Sequence, residues 1–477
     1  MKTILRSTAL FAALVLAGCA SVGPDYHAPK EAPVTLQGVD PAQQTSAAFQ
    51  AQWWKQFGDP TLDSLIVRAA KGSPDLRIAV ARLNQARAAL GTAKSQQIPD
   101  VETGVSYSRS REQQPGFTDQ RVTTTAYQAG FDASWELDLF GGIRRSVEAA
   151  RADAGAGEAS LQDAQVTLFA EVARNYFDLR GTQLRIDVAK RDITNQQDSL
   201  KVINARVEVG TGAEQDLASA KARLAAVEAQ LPVLETQAQA DQFRIAVLLG
   251  ERPGELDIDL SPATFKPIDV SLAIGGADEV LQRRPDIRIA ERELAAANAR
   301  IGVAKADYFP HITLGGFIGF LAGRSNDFGG ADSRAWSLAP SISWSGLNVQ
   351  RVASGVKGAR ARAEEAQANY DRTVLTALED VDNSLVGFNQ QRVRVEKLVV
   401  QAKESRRAAE LAKLRYDAGR TDYLELLDAE RTQLSAEDQL AEAEAGINTR
   451  AVSLYKALGG GWEACGNNAC SEVAKAP

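Results

Sequence analysis

The chain is poor in the residues that most site chemistry needs. Its 477 residues include two histidines, one methionine and three cysteines. Little is left from which to build a metal centre, and no cofactor is expected. No G-x-S-x-G, H-E-x-x-H or G-x-x-x-x-G-K-[ST] pattern occurs, so no hydrolytic nucleophile, zinc-protease helix or phosphate loop can be named. A basic excess is missing too. The net charge of −7 argues against a nucleic-acid partner, which would want a positive face. No apolar run approaches the roughly 20 residues of a membrane-spanning helix. Proline is absent from Arg144–Val209 and from Val349–Ala418, so nothing in either Ala-rich stretch breaks a helix.

The short apolar run Ala9–Ala17 follows Lys2 and Arg6 and reads as a signal peptide, residues 1–18. It ends Leu16-Ala17-Gly18-Cys19, which resembles the lipobox of bacterial lipoproteins, with Cys19 the lipidated residue. Ala20 and Ser21 follow, with no Asp at the second position, as in known signals for the outer membrane. The Pro-rich, polar segment Ser21–Ser46 looks like a tether. Ala47–Lys71 reads as a short helical entry, completing a region 19–73. Export leaves Cys465 and Cys470 in the tail 462–477. An even pair in an oxidising compartment most simply forms a disulfide, since C-x4-C lacks the second ligand pair a metal would want.

The body is written twice. Pro74–Gly104 and Pro285–Gly315 align without a gap at an offset of 211, with 13 of 31 positions identical. The units 74–284 and 285–461 are therefore copies of one structural element. Each opens with a helix, about Pro74–Gln97 and Pro285–Tyr308, started by Pro and ended before Pro99 and Pro310. Two strands follow. Tyr127–Leu139 alternates apolar and polar residues without a slip, and Trp336–Ser345 does nearly the same. Val101–Tyr107 and Ile312–Ala322 alternate less cleanly. Each is near the 9–11 residues or so of a membrane strand, with Trp135, Trp336 and Trp344 placed as an aromatic girdle would be. A soluble sheet with one wet face is the alternative. Arg109–Thr123 and Gly323–Arg334 read as polar loops.

Each copy continues into a very long helix and a return helix. Leu217, Leu224, Leu231, Ala238 and Ile245 recur every seven residues, and Leu426, Leu440, Ile447 and Leu454 share that spacing 209 residues later. This is coiled-coil patterning with a seam of small residues. Pro232 should bend or bulge the first return helix. Gly210 and Gly419 sit at the turns as left-handed caps, and Gly459–Gly461 reads as a helix end. Four strands cannot close a barrel, and an open edge in lipid leaves unpaired backbone groups. If the strands span a membrane, chains must share a barrel. Two would give a barrel that side chains largely fill; three would give twelve strands and a passage.

Several motifs carry a resemblance: Gly23-Pro24-Asp25-Tyr26 after the lipobox, Trp53-Trp54…Phe57-Gly58-Asp59-Pro60, Trp135-Glu136-Leu137-Asp138-Leu139-Phe140-Gly141, Arg283-Arg284-Pro285-Asp286-Ile287, and Leu414-Arg415-Tyr416-Asp417-Ala418-Gly419. In this order they resemble the outer-membrane factors of the TolC superfamily, in particular the lipidated OprM and NodT-type efflux branch. The resemblance implies a mainly α fold with four β-strands per chain. Three chains would form a twelve-stranded transmembrane β-barrel continuous with a twelve-helix periplasmic α-barrel. It implies a passive, non-enzymatic homotrimeric exit duct anchored in outer-membrane lipid. Its partners would be a periplasmic membrane-fusion adaptor and an inner-membrane transporter, usually of the RND class. It also implies a gate at the positions matching Tyr416, Leu424, Asp428 and Arg431, with Asp216 and Glu425 adding acidic charge nearby. The turns Gly210, Thr211, Gly212 and Gly419, Arg420, Thr421 would meet the adaptor. A protein-secretion duct and a lipid-anchored periplasmic scaffold remain the rival readings.

Overall fold

A computed structural model describes residues 21–29, 51–114, 118–263, 265, 267–268, 281–345 and 348–463. Cys19, the signal peptide, most of the tether, Cys465 and Cys470 lie outside them. The chain divides into two compact units. One comprises Met1–Lys30, Arg82–Glu158 and Arg288–Arg372, and the other the remainder. Short helices α1 (Pro60–Gly72) and α2 (Pro74–Ser95) precede strands β1 (Asp100–Gln114) and β2 (Thr118–Leu137). Helices α3 (Gly142–Glu208) and α4 (Glu214–Leu249) complete the first copy. The second runs α5 (Pro285–Ala306), β3 (His311–Ala322), β4 (Arg334–Ser343), α6 (Val349–Asp417) and α7 (Tyr423–Ala457).

The two proline-free stretches are single helices of 67 and 69 residues, about 100 Å each at 1.5 Å per residue. α4 runs on through Pro232. No helix among the described residues is long and apolar enough to cross a membrane.

In the first unit the strands form one antiparallel sheet in the order β1-β2-β3-β4. Two expectations change here. β1 and β2 continue through most of the segment read as a polar loop, paired in register as far as Gln113 with Arg121 and again, past a register shift, at Gln114 with Thr118. Apolar alternation stops at Tyr107 and Tyr127, but Thr123, Thr124 and Thr125 suit a pleated surface, so pairing outlasts the pattern. The beginning of the supposed tether is also fastened. Val22 N–H donates to Phe140 O at 3.0 Å, Arg145 meets Asp25 at 2.7 Å, and Tyr26 OH donates to Glu291 Oε1 at 2.7 Å. Gly23 must be glycine: its φ is 109°, and a Cβ would lie 2.5 Å from Gly302 Cα.

The second unit holds the main apolar core. Trp53 and Trp54 of a 3-10 turn, with Leu62, Leu65 and Ile66 of α1, pack among Phe169, Tyr176 and Phe177 of α3, Ile245 of α4, Phe388 of α6 and Tyr455 of α7. Trp53 stacks on Tyr455 at 5.1 Å. Asp59 caps α1 by accepting from Thr61 N and Leu62 N, and also accepts from Tyr176 OH at 2.5 Å. The Gly-Asp-Pro motif is thus a helix start tied to the core. Arg284 likewise joins Asp286 at 2.7 Å to Ala457 O at 2.7 Å, fixing the start of α5 against the end of α7.

Candidate functional site: a two-faced sheet and two helical tips

Register divides the sheet cleanly. On one face Thr103, Phe131, Ile318 and Trp336 form one row, and Val101, Ala133, Gly316 and Leu338 the next. Tyr107, Tyr127, Trp135, Leu137, Ile312, Leu314 and Ile342 share this face. It is apolar yet open, with Val105 84% exposed, Trp336 79% and Ile342 71%. The opposite face carries Asp100, Glu102, Ser106, Gln128, Asp132, Ser134 and Glu136, with Thr313, Ser337, Ser341 and Ser343. There the ring of Phe317 lies over Gly130 and Gly319, where a Cβ would meet it at 2.7 and 2.9 Å. His311 Nδ1 lies 2.7 Å from Glu136 Oε1 on the polar face. A face this apolar is costly in water and natural in hydrocarbon.

From Leu137 to Tyr127 the apolar face spans ten residue steps. At about 3.3 Å per step and a tilt near 40°, this is about 25 Å, the height of an outer-membrane apolar band. Aromatic residues mark both margins. Tyr107 and Tyr127 lie 5.0 Å apart at one. At the other, Trp135 Nε1 donates to Gln97 O, Trp344 Nε1 donates to Tyr308 O, and Phe140 stacks on Phe309 at 4.5 Å. Asp138 then starts α3 by accepting from Ile143 N and Arg144 N.

The helical tips lie in the second unit. α3 ends with Gly210 N–H donating to Val207 O and Thr211 N–H to Arg206 O. α6 ends with Gly419 N–H donating to Tyr416 O and Arg420 N–H to Arg415 O. Both are Schellman turns, with Gly210 at φ 74° and Gly419 at φ 65°. The six tip residues singled out from sequence are therefore two equivalent turns.

The gate positions separate. Tyr416 is buried within the chain, packed with Tyr423 at 5.8 Å and covered by the Arg206 guanidinium at 4.5 Å. Leu424 is 50% exposed. Asp428 and Arg431 form an exposed i,i+3 pair at 3.8 Å. Glu425 bonds Arg415 at 2.8 Å and meets Thr421 Oγ1. Asp216 lies in the first turn of α4.

Sequence reading missed the layer behind the tips. Gln196 of α3, almost fully buried, donates to Glu430 Oε2 of α7 at 3.0 Å and to Asp192 Oδ1 at 3.4 Å; Arg223 of α4 reaches Asp192 Oδ2 at 3.4 Å. Burial pushes both carboxyls up from their usual range. Arg223 and Gln196 oppose this at Asp192, as do Gln196, Lys413 and Arg223 at Glu430. Burial also raises the Tyr423 phenol to about 12. The only signal in sequence was polar residues on otherwise apolar helix faces.

The family model for outer membrane efflux proteins matches residues 65–251 and 276–460, one stretch per structural copy. The chain belongs to the outer membrane efflux protein family. The pyoverdine export outer membrane protein OpmQ of Pseudomonas putida is 35% identical over 433 residues, covering 89% of this chain and 91% of that one. The toluene efflux pump outer membrane protein TtgI of the same species is 30% identical over 475 residues, covering 97% and 99%. Among solved structures, the outer-membrane channel OprN superposes with a TM-score of 0.90 at 45% identity, over 93% of this chain and 100% of that one. The open state of the MtrE channel of Neisseria gonorrhoeae gives 0.82 at 29% identity, over 93% and 99%. The protein is an outer-membrane efflux channel rather than an enzyme.

Proposed function

We propose that three copies of this chain share one twelve-stranded barrel and act as the passive exit duct of a tripartite efflux system. The observation that carries the reading is the sheet itself. It has one lipid-compatible face, one polar face, and two outer edges, on β1 and β4, that pair with no other strand among the described residues. Such edges are not stable in hydrocarbon, so β4 of one copy pairs with β1 of the next. Eight strands would leave a lumen largely filled by side chains; twelve open a passage. Cys19, two residues before the fastened Ser21, carries the lipid anchor. A periplasmic membrane-fusion adaptor meets the helical hairpins, and an RND-type inner-membrane transporter supplies the energy. Kinship to efflux-pump outer-membrane proteins supports these partners.

The hairpin tips gate the periplasmic end. Leu424 forms a constriction, Asp428 and Arg431 exchange partners between helices, and Glu425 and Asp216 supply acidic charge. Tyr416 holds the tip from within. Conductance of reconstituted oligomers tests the gate: Leu424→Ala with Arg431→Ser raises it, and an unchanged conductance sinks the assignment. Cysteines placed at Gly210–Gly212 and Gly419–Thr421 crosslink to the adaptor; crosslinks confined to other positions would move the docking surface elsewhere.

A further inference from the structure

The lipid face does not end at its aromatic margin. Residues 109, 111 and 113 of β1 continue the side of the sheet that carries Val105 and Tyr107, paired with 125, 123 and 121 of β2. This places Arg109, Arg111 and Arg121 on the outward side, one to three rows beyond Tyr107 and Tyr127. The other outward residues of these rows are Thr123, Thr125 and Gln113, so no carboxylate lies among them. Asp119 follows on β2 beyond the register break at Gln113, and Glu112 belongs to the inward side, bonded to Ser110. None of the three arginines forms an ion pair among the described residues.

A second feature adjoins the cluster. A groove of about 640 Å³ opens over Ala129 between Val105, Phe131, Ile318 and Trp336, with Arg334 on its rim. The small side chain of Ala129 leaves this hollow between bulkier neighbours. Arg334 faces outward because it pairs with Phe320, on the apolar side of β3.

We propose that this surface binds a phosphorylated lipid of the outer leaflet, with Arg109, Arg111 and Arg121 clasping its phosphates and the groove at Ala129 receiving an acyl chain beneath Arg334. The inference rests on the sheet spanning the membrane. A guanidinium fork matches phosphate oxygens, and unpaired arginines just beyond an aromatic girdle stand at headgroup height. A lipid satisfies both features at once; a free anion satisfies only the arginines.

The test uses oligomer purified from outer membranes, with diphosphoryl lipid A as probe and native mass spectrometry as readout. Wild-type protein retains the lipid, and retention falls as ionic strength rises. Changing Arg109, Arg111 and Arg121 together to Gln lowers retention by about tenfold or more, while the three Lys replacements, which keep the charge but lose the fork, retain an intermediate amount. Ala129→Leu fills the groove and lowers retention with the arginines intact. Undiminished retention by both the Gln triple variant and Ala129→Leu overturns the proposal. Displacement of the lipid by equimolar inorganic phosphate overturns it in favour of a free-anion site. Conductance in planar bilayers separates the underlying reading: wild-type protein that conducts but retains no lipid A loses only this proposal, whereas protein that never conducts loses the transmembrane placement with it.

Discussion

Glu208–Glu214 and Asp417–Tyr423 turn the chain through the same hydrogen bonds 209 residues apart, yet different chemistry holds each turn. At the first, Ala213 offers α4 no side-chain cap, and the turn is Gly-Thr-Gly. At the second, Asp422 accepts from Glu425 N, and Glu425 is in turn held by Arg415 and Thr421. Tyr423 then inserts completely, whereas Glu214, its counterpart, is exposed. Duplication supplied two similar backbones; side chains made one tip anchored and the other plain. Of the proposed gate residues, Tyr416, Leu424, Glu425, Asp428 and Arg431 flank the anchored tip and Asp216 the plain one.

The sharpest way to break the contrast is to remove the anchor. Tyr423→Ala empties a fully buried site and costs the second tip about 3 kcal/mol, while Glu214→Ala at the first costs less than about 0.5. Hydrogen exchange of the tip amides reads each separately. Tyr423→Phe should be harmless, because the buried hydroxyl has no hydrogen-bond partner among the described residues. A smaller effect is expected at Gly212, where a Cβ would lie 2.9 Å from Val207 N. Gly212→Ala should loosen the first tip by about 1–2 kcal/mol, a cost that Thr421 avoids at the matching position. Exchanging the caps sharpens the comparison further. Asp422→Ala should weaken the second tip by about 1 kcal/mol, and Ala213→Asp should strengthen the first by a similar amount. Equal exchange at both tips in wild-type protein would remove the premise.

Helix lengths, the repeat, the alternation of β2 and the glycine turns were legible because each rests on local rules: no proline, period two, positive φ. Other features depend on partners distant in sequence. Tyr26 finds Glu291 across 265 positions, so Ser21–Pro29 read as a loose tether although it is fastened. The outer halves of β1 and β2 were hidden because Arg109–Gln113 and Arg121–Thr125 lack apolar alternation while keeping their pairing. Tyr416 matched a gate position, yet whether a tyrosine faces a lumen or its own helices depends on packing that heptads do not specify. The layer of Asp192, Gln196, Arg223 and Glu430 was invisible for the same reason.

That layer should make the tips sensitive to pH. Burial raises the Asp192 and Glu430 carboxyls above their unfolded values. A raised carboxyl stabilises the packed form fully below its unfolded pKa, and the contribution is lost as pH rises through the folded one. Exchange at the tips, corrected for its intrinsic rate, should therefore slow as pH falls from neutral towards the carboxylate range. Glu430→Gln keeps the bond to Gln196 and should flatten the profile; an unchanged profile in that variant would assign the titration to another group.

The smallest expected effect separates stability from gating. Asp428 and Arg431 lie 3.8 Å apart with side chains 74% and 72% exposed. Within one chain such a pair is worth at most about 0.5 kcal/mol, so Asp428→Asn should leave exchange at the second tip unchanged. In the proposed gate the same charges would act between chains on the duct. If Asp428→Asn raises conductance while exchange stays at the wild-type rate, the pair works across protomers rather than along its helix. If conductance and exchange change together, the variant has only loosened the hairpin. If neither changes, Asp428 is a solvated surface charge and the gate lies with Leu424 alone.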